Sequence, residues 1–147
     1  MLIEALTLEE NSYSGFSHQA VITYADLAAL AAGNTGAFVI GSFVAQDIVL
    51  RTALIVDTPF VFSDGTLISC TLGIADSASN TWLAAQQVES GATPVVAVVA
   101  ALTVGYAAAQ TCTATFTGTA AKNLNTATAG QARILFSKTS TAKFKLF

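Results

Sequence analysis

The fold class is decided by residues 110–117, Gln-Thr-Cys-Thr-Ala-Thr-Phe-Thr. Threonines alternate there with Cys112, Ala114 and Phe116, so one side of the segment carries hydroxyl groups and the other is apolar. A repeat of two residues is the period of a β-strand, whose successive side chains point to opposite faces of the sheet. The segment therefore predicts a strand with one face in the core.

Strand-like patterns recur along the rest of the chain. In residues 47–56, Ile48, Leu50, Leu54 and Val56 share one face. Further strands are expected at residues 18–24, 37–44, 59–63, 66–74, 95–102 and 131–137. Short strands separated by turn signals favour an all-β fold. We expect one domain over residues 1–147, an antiparallel β-sandwich of jelly-roll type with about eight strands.

Local signals predict how some of these strands are connected. Asp64-Gly65 supplies the positive φ angles of a tight turn and predicts a hairpin between the runs that flank it. The apolar run from Val95 predicts a central strand that is buried on both faces and bends near Gly105. Two short connecting helices are expected, at residues 27–32 after an Asp26 cap and at residues 81–88 after an Asn80 cap.

Charge is scarce in this chain. Lys and Arg number 6 and Asp and Glu number 9, which is 10% of the residues, while 53% are hydrophobic; a typical soluble domain has about 25% charged residues. Much of the surface must then be small and neutral, which suits contact with other proteins. The net charge of −3 argues against nucleic acid as a partner, since binding phosphates needs clustered Lys and Arg.

The segments that could target the chain elsewhere are weak. The first ten residues contain acids and no basic cluster, so we expect no secretory signal and synthesis in the cytoplasm. Residues 95–109 are shorter than the roughly 20 that a spanning helix needs and lack flanking Lys or Arg, so no membrane partner is expected. Cys70 and Cys112 lie in strand patterns and are expected to be buried free thiols.

Reactive chemistry is hard to find in the sequence. His18 is the single histidine, and no Gly-x-Ser-x-Gly or metal-binding motif is present. Asp57, Asp64 and Asp76 could converge on calcium, yet turn chemistry alone explains each of them. The glycines of residues 33–36 do not have phosphate-loop spacing. We therefore predict no catalytic, metal-binding or cofactor-binding residue and no enzymatic activity.

The two ends differ in charge from the body. Residues 1–17 are acidic and residues 138–147 are basic, and each is a possible arm. The alternation in residues 143–147 fits either an edge strand that pairs with a neighbour or a solvated tail. The candidate contact residues are Lys138, Lys143, Phe144, Lys145, Leu146 and Phe147.

Several segments together resemble a known class of viral proteins. Residues 18–27, 72–76, 80–83 and 128–136 are similar to the head decoration, or cement, proteins of tailed bacteriophages. The resemblance implies a non-enzymatic β-sandwich on the outside of an icosahedral capsid, at junctions between major capsid protein subunits. It also implies a homodimer or homotrimer and no cofactor.

Two other hypotheses remain open. A tail or tail-tube component would also assemble from β-domains that are poor in charge. A lectin-like module would bind glycans through the loop aspartates and through Trp82, a partly exposed stacking residue beside the Asn80 cap. The enzyme hypothesis would depend on His18.

Overall fold

The computed structural model describes residues 1–7, 9–10, 15–63, 69–89, 95–98, 106–119 and 123–140. Most of its regular structure is strand. In chain order, its elements include β1 (Leu2–Ala5), β2 (His18–Thr23), α1 (Tyr24–Ala28), β3 (Thr35–Phe43), β4 (Asp47–Phe62), β5 (Cys70–Asp76), β6 (Thr81–Gln87), β7 (Val95–Val98), β8 (Gln110–Gly118), a 3-10 turn (Leu124–Thr126) and β9 (Ala127–Ser140).

The strands form two antiparallel sheets. The first sheet has five strands in the order β1-β2-β9-β4-β7, and the second has four in the order β3-β8-β5-β6. Buried side chains from both sheets make one core between them. The predicted all-β sandwich is confirmed. The chain changes sheet at almost every connection, so only β1–β2 and β5–β6 are sequential neighbours within a sheet.

β8 confirms the prediction from residues 110–117. Cys112, Ala114 and Phe116 are completely buried, and the threonines between them face outward or are half-buried. The strand lies between β3 and β5 in the second sheet. Its single buried face therefore follows directly from the alternation in the sequence.

The hairpin predicted at Asp64-Gly65 is wrong. Its flanking strands belong to different sheets, since β4 pairs with β7 and β9 while β5 pairs with β6 and β8. Residues 64–68 themselves lie outside the described residues. The signal indicated a turn and gave no information on which strands it joins.

The helix predicted at residues 81–88 is also wrong, because the segment forms β6. Ile74 pairs with Leu83 and Ala75 pairs with Thr81, so Trp82 is an extra residue opposite the β5 ladder. Such a bulge lets Trp82 and Leu83 both enter the core although they are consecutive. The apolar residues Trp82 and Leu83 are adjacent, and this spacing is also found on the buried face of a helix.

The first connecting helix exists but begins earlier than expected. α1 is capped by Thr23, and Asp26 is the third residue after the cap. The Asp26 carboxylate accepts hydrogen bonds from the Thr23 amide at 2.8 Å and the Thr23 hydroxyl at 2.9 Å. The pair forms a capping box, in which Asp26 bonds back to the cap residue.

β7 occupies the edge of the first sheet, where it pairs with Arg51–Leu54 of β4. The central position predicted for the Val95 run is therefore wrong, and residues 99–105, which include the expected bend, lie outside the described residues. A continuous apolar run indicates burial but does not fix a strand's place in its sheet.

Both predicted arms begin inside the first sheet. Leu2–Ala5 of the N-terminal arm forms β1, and residues 138–140 of the C-terminal arm complete β9, where Lys138 pairs with Val49. Residues 141–147 lie outside the described residues.

Gly130 of β9 has a φ of +135°, and a Cβ there would lie 2.4 Å from Cδ1 of Phe60, so this position requires glycine.

Candidate functional site

A buried polar network surrounds Asp76 at the β5–β6 turn. The Asp76 carboxylate accepts hydrogen bonds from the Asn80 amide at 2.8 Å and the Ala78 amide at 3.0 Å. Two core side chains complete the set: Tyr106 donates its hydroxyl at 2.5 Å and Trp82 donates its indole N–H at 3.2 Å. The Asn80 side-chain amide also donates, at 2.9 Å. Hydrogen bonds from the protein thus replace those that water would make to this carboxylate.

These donors decide the charge of the group. Burial alone would raise the pKa of Asp76, but hydrogen bonds from Tyr106, Asn80 and Trp82 outweigh it and the pKa is lowered. The pKa of Tyr106 is raised by burial and by its bond to Asp76. Asp76 therefore remains ionised near neutral pH, and its oxygens bind the turn and the core.

Lys138 lies in a second polar cluster, where β9 meets the β3–β4 turn. Its Nζ atom is 2.8 Å from Oδ2 of Asp47, with the side chains 26% and 3% exposed. The same ammonium lies 5.1 Å from the centre of the Phe43 ring. Asp47 also accepts a hydrogen bond from the Val44 amide at 3.0 Å. The charge of this predicted contact residue is thus paired within the chain.

His18 is held beside this cluster by packing. Its ring stacks on Phe136, with 5.2 Å between centroids and 8° between planes. Its Nδ1 atom lies 2.7 Å from Oγ of Ser17, which also accepts the Lys138 amide at 2.9 Å. Burial and the nearby Lys138 lower the pKa of His18, against the opposing effect of Asp47.

This arrangement fits a structural role better than a relay. In a Ser-His-Asp relay the carboxylate orients the imidazole, whereas Asp47 binds Lys138 and Val44. The Ser17 hydroxyl ties the start of β2 to β9. His18 therefore packs on Phe136 and contacts Ser17. Its imidazole is neutral near pH 7 because its pKa is lowered.

Two of the three aspartates that could have converged on calcium lie in different sheets. Asp57 lies on β4 of the first sheet and Asp76 on β5 of the second. Arg133 binds Asp57 with two nitrogens, at 2.8 and 2.7 Å, and thereby lowers the pKa of that carboxyl. Asp64 lies outside the described residues. Within the described ranges, no three His, Cys, Asp or Glu residues form a cluster that could hold a metal ion.

All three basic side chains of the described residues contact this chain itself. Arg51 lies 4.6 Å from the centre of the Phe16 ring and donates to the Gly15 carbonyl at 3.3 Å. Arg133 binds Asp57 and Lys138 binds Asp47. The described surface consequently offers little unpaired positive charge, in keeping with the few charged residues in the sequence.

The exposed surface instead carries single apolar side chains. These large hydrophobic residues are between 44% and 62% exposed: Met1, Leu2, Ile3, Tyr24, Val39, Val44, Leu50 and Val61. The alternation in residues 47–56 places Leu50 on the buried face with Ile48, Leu54 and Val56. That prediction is wrong for Leu50, which is 51% exposed, because β4 shifts its register between Val49 and Arg51. Leu2 and Ile3 are consecutive on a strand, so their side chains cover both of its faces.

Trp82 is not available as a glycan platform. It is 1% exposed and packs against Phe43 at 5.1 Å between centroids, so the partial exposure expected for it is wrong. A shallow cleft of about 250 Å³ lies elsewhere, between α1 and β9, and includes Tyr24. Its Thr23 and Thr128 hydroxyls already donate to Asp26 and to a backbone carbonyl.

The cysteine prediction is confirmed. Cys70 and Cys112 are free and buried. Burial raises the pKa of the Cys70 thiol to about 12 and raises that of Cys112 as well. Both are small core residues of the second sheet, which is an unreactive environment for a thiol.

Five of the six predicted arm contacts, Lys143 to Phe147, lie outside the described residues, and Lys138 is the ion-paired exception. No helix in the described part of the chain has the length and apolar character needed to cross a membrane. Comparisons with protein-family models, with curated proteins and with solved structures found no match.

Proposed function

We propose that this protein is a non-enzymatic virion component that binds the outside of an icosahedral capsid and stabilises contacts between major capsid subunits. One observation carries the proposal. The three described basic side chains are bound within the chain, and large apolar side chains are exposed on a surface that carries few charges. Such a surface suits packing against another protein, because few charges must lose their water.

The protein would stabilise the capsid by burying surface on more than one subunit at the same time. A protein that buries surface on two neighbouring subunits favours the assembled shell by mass action. Each contact can be weak, because many copies act on one particle and each subunit is held at high local concentration. A β-sandwich core with a tightly hydrogen-bonded end provides a rigid body for this purpose.

The test is binding to a shell. Purified protein is mixed with emptied capsids made from the major capsid protein of the same virus, and the bound fraction is measured by sedimentation. We expect saturable binding with a fixed number of copies per shell, and a higher melting temperature for decorated shells. Failure to bind, or a position along the tail in a map of the virion, would contradict the proposal.

The C-terminal segment can be tested separately. Removing residues 141–147 leaves β9 whole, because its pairing with β4 ends at Ser140. If the segment is a contact arm, the truncated protein keeps its melting temperature and loses occupancy on the capsid. Removal from residue 138 would instead delete the Lys138–Asp47 ion pair, so loss of binding there would not identify an arm.

A further inference from the structure

The outer edge of the first sheet is formed by β1. This strand pairs on one side with β2, from Leu2 opposite Val21 to Ala5 opposite His18, and packs mainly against that strand. Its side chains are all exposed, Leu2 by 54% and Ile3 by 44%. An edge strand offers a row of backbone donors and acceptors to a further strand.

The pairing register shows which groups point outward. The Leu6 amide donates to the Ser17 carbonyl at 2.8 Å, in the same register as the β1–β2 pairs. Backbone groups of successive residues in a strand point to opposite sides. Leu2 and Glu4 therefore bond to β2, and the amide and carbonyl groups of Ile3 and Ala5 are directed away from the sheet.

Devices that protect natural edges are scarce on β1. Lysine, proline and bulges are the common ones, and residues 2–5 contain none of them. The single charge belongs to Glu4, whose carboxylate accepts a hydrogen bond from the Gln19 side chain at 2.5 Å. The apolar side chains meanwhile lie on both faces of the strand.

We propose that β1 pairs with β1 of a second copy, in antiparallel register around a two-fold axis at Ile3. Ile3 of each copy then donates to and accepts from Ile3 of the other. The first sheet of each copy then continues into the first sheet of the other. The β1 strand of the partner packs beside the exposed side chains of Leu2, on one face, and Ile3, on the other.

A second copy fits this edge because its β1 carries the same apolar side chains and the same outward backbone groups, and charge decides between the possible registers. A two-fold axis at Glu4 would place two carboxylates directly opposite each other, which is unfavourable. An axis at Ile3 places Leu2 opposite Glu4 of the other copy, so the carboxylates are apart. Because Ile3 lies opposite buried Ala20, its side chain extends the core-facing side of the sheet toward the partner.

The pairing involves one short strand, so the contact is weak in solution. Interfaces of this size fall below the standard interface area, and we expect a dissociation constant between about 1 µM and 1 mM. Self-association needs no capsid. Its outcome is therefore distinguishable from that of the capsid-binding test above.

Sedimentation velocity over protein concentrations from about 1 µM to 1 mM tests the pairing. We expect the wild type to shift from monomer to dimer, and Ile3→Pro to remain monomeric. Proline lacks the outward amide but spares the Leu2 and Glu4 bonds to β2. Val39→Thr, at an equally exposed position on the edge strand of the other sheet, is the matched control and should dimerise like the wild type.

Charge pairing tests the register and does not depend on a proline. Ile3→Lys and Ile3→Glu each place like charges opposite each other at the two-fold axis, so each alone should be monomeric. An equal mixture of the two should form a heterodimer. A monomeric wild type, a dimer that Ile3→Pro leaves intact, or a mixture that fails to associate would overturn the proposal. Larger assemblies that survive Ile3→Lys would do so too, and would indicate another surface.

Discussion

Replacing Tyr106 by phenylalanine removes one donor from the buried Asp76 carboxylate and leaves the ring in place. A hydrogen bond to a charged group contributes about 1.5–3 kcal/mol. Four other donor groups, from Ala78, Asn80 and Trp82, remain on the carboxylate. We therefore expect the free energy of unfolding to fall by about 1.5–2 kcal/mol, at the lower end of that range. For a chain of this length that corresponds to a fall in melting temperature of roughly 3–8 °C.

The assay is chemical denaturation at several pH values, with Tyr24→Phe as control. Tyr24 is 44% exposed, so loss of its hydroxyl should change the free energy of unfolding by less than about 0.5 kcal/mol. The pKa of Asp76 is lowered by folding, so its stabilisation is present above about pH 4 and is lost as pH falls through the folded-state pKa. The Tyr106→Phe penalty should shrink over the same range. Equal effects of the two variants at neutral pH would refute the network's role.

Other changes have equally definite outcomes. Gly130→Ala should destabilise the protein by more than about 2 kcal/mol through strain and a clash with the adjacent ring, while Gly33→Ala, with open space around it, should be neutral or slightly stabilising in thermal melts. The thiols of Cys70 and Cys112 should react with Ellman's reagent only after unfolding, and rapid reaction of the native protein would contradict their burial. The imidazole of His18 should titrate below about pH 6.5 by NMR, so its stabilising contribution is lost as pH falls through that folded-state pKa; a higher midpoint would contradict the packing described here.

The sequence predicts best those strands that have one face in the core and the other at the surface. β8 was expected at residues 110–117 and spans Gln110–Gly118, because neighbours on each side leave its alternation undisturbed. β6 was expected as a helix, because bulges let Trp82 and Leu83 enter the core together. Bulges depend on the partner strand, which a local pattern does not contain.

The polar clusters around Asp76 and Lys138 could not be predicted from the sequence, because they join residues that are brought together only by strand pairing. The scarcity of charge predicts a contact surface that is poor in charge, but it does not reveal that Lys138 is paired with Asp47. That pairing joins residues far apart in sequence, through the alignment of β4 with β9. The alternation that identifies a strand also does not reveal which strand lies at an edge, and the sequence therefore predicts an arm where β1 forms the edge of the first sheet.

The position of β9 affects when the protein can fold during synthesis. This strand has 14 residues and separates β2 from β4, although it follows both in the chain. The ribosome must therefore complete residue 140 before the first sheet can close. Until then the facing edges of β2 and β4 are unpaired in the nascent chain, which makes the cellular yield sensitive to pauses in translation and to chaperones that cover exposed strands.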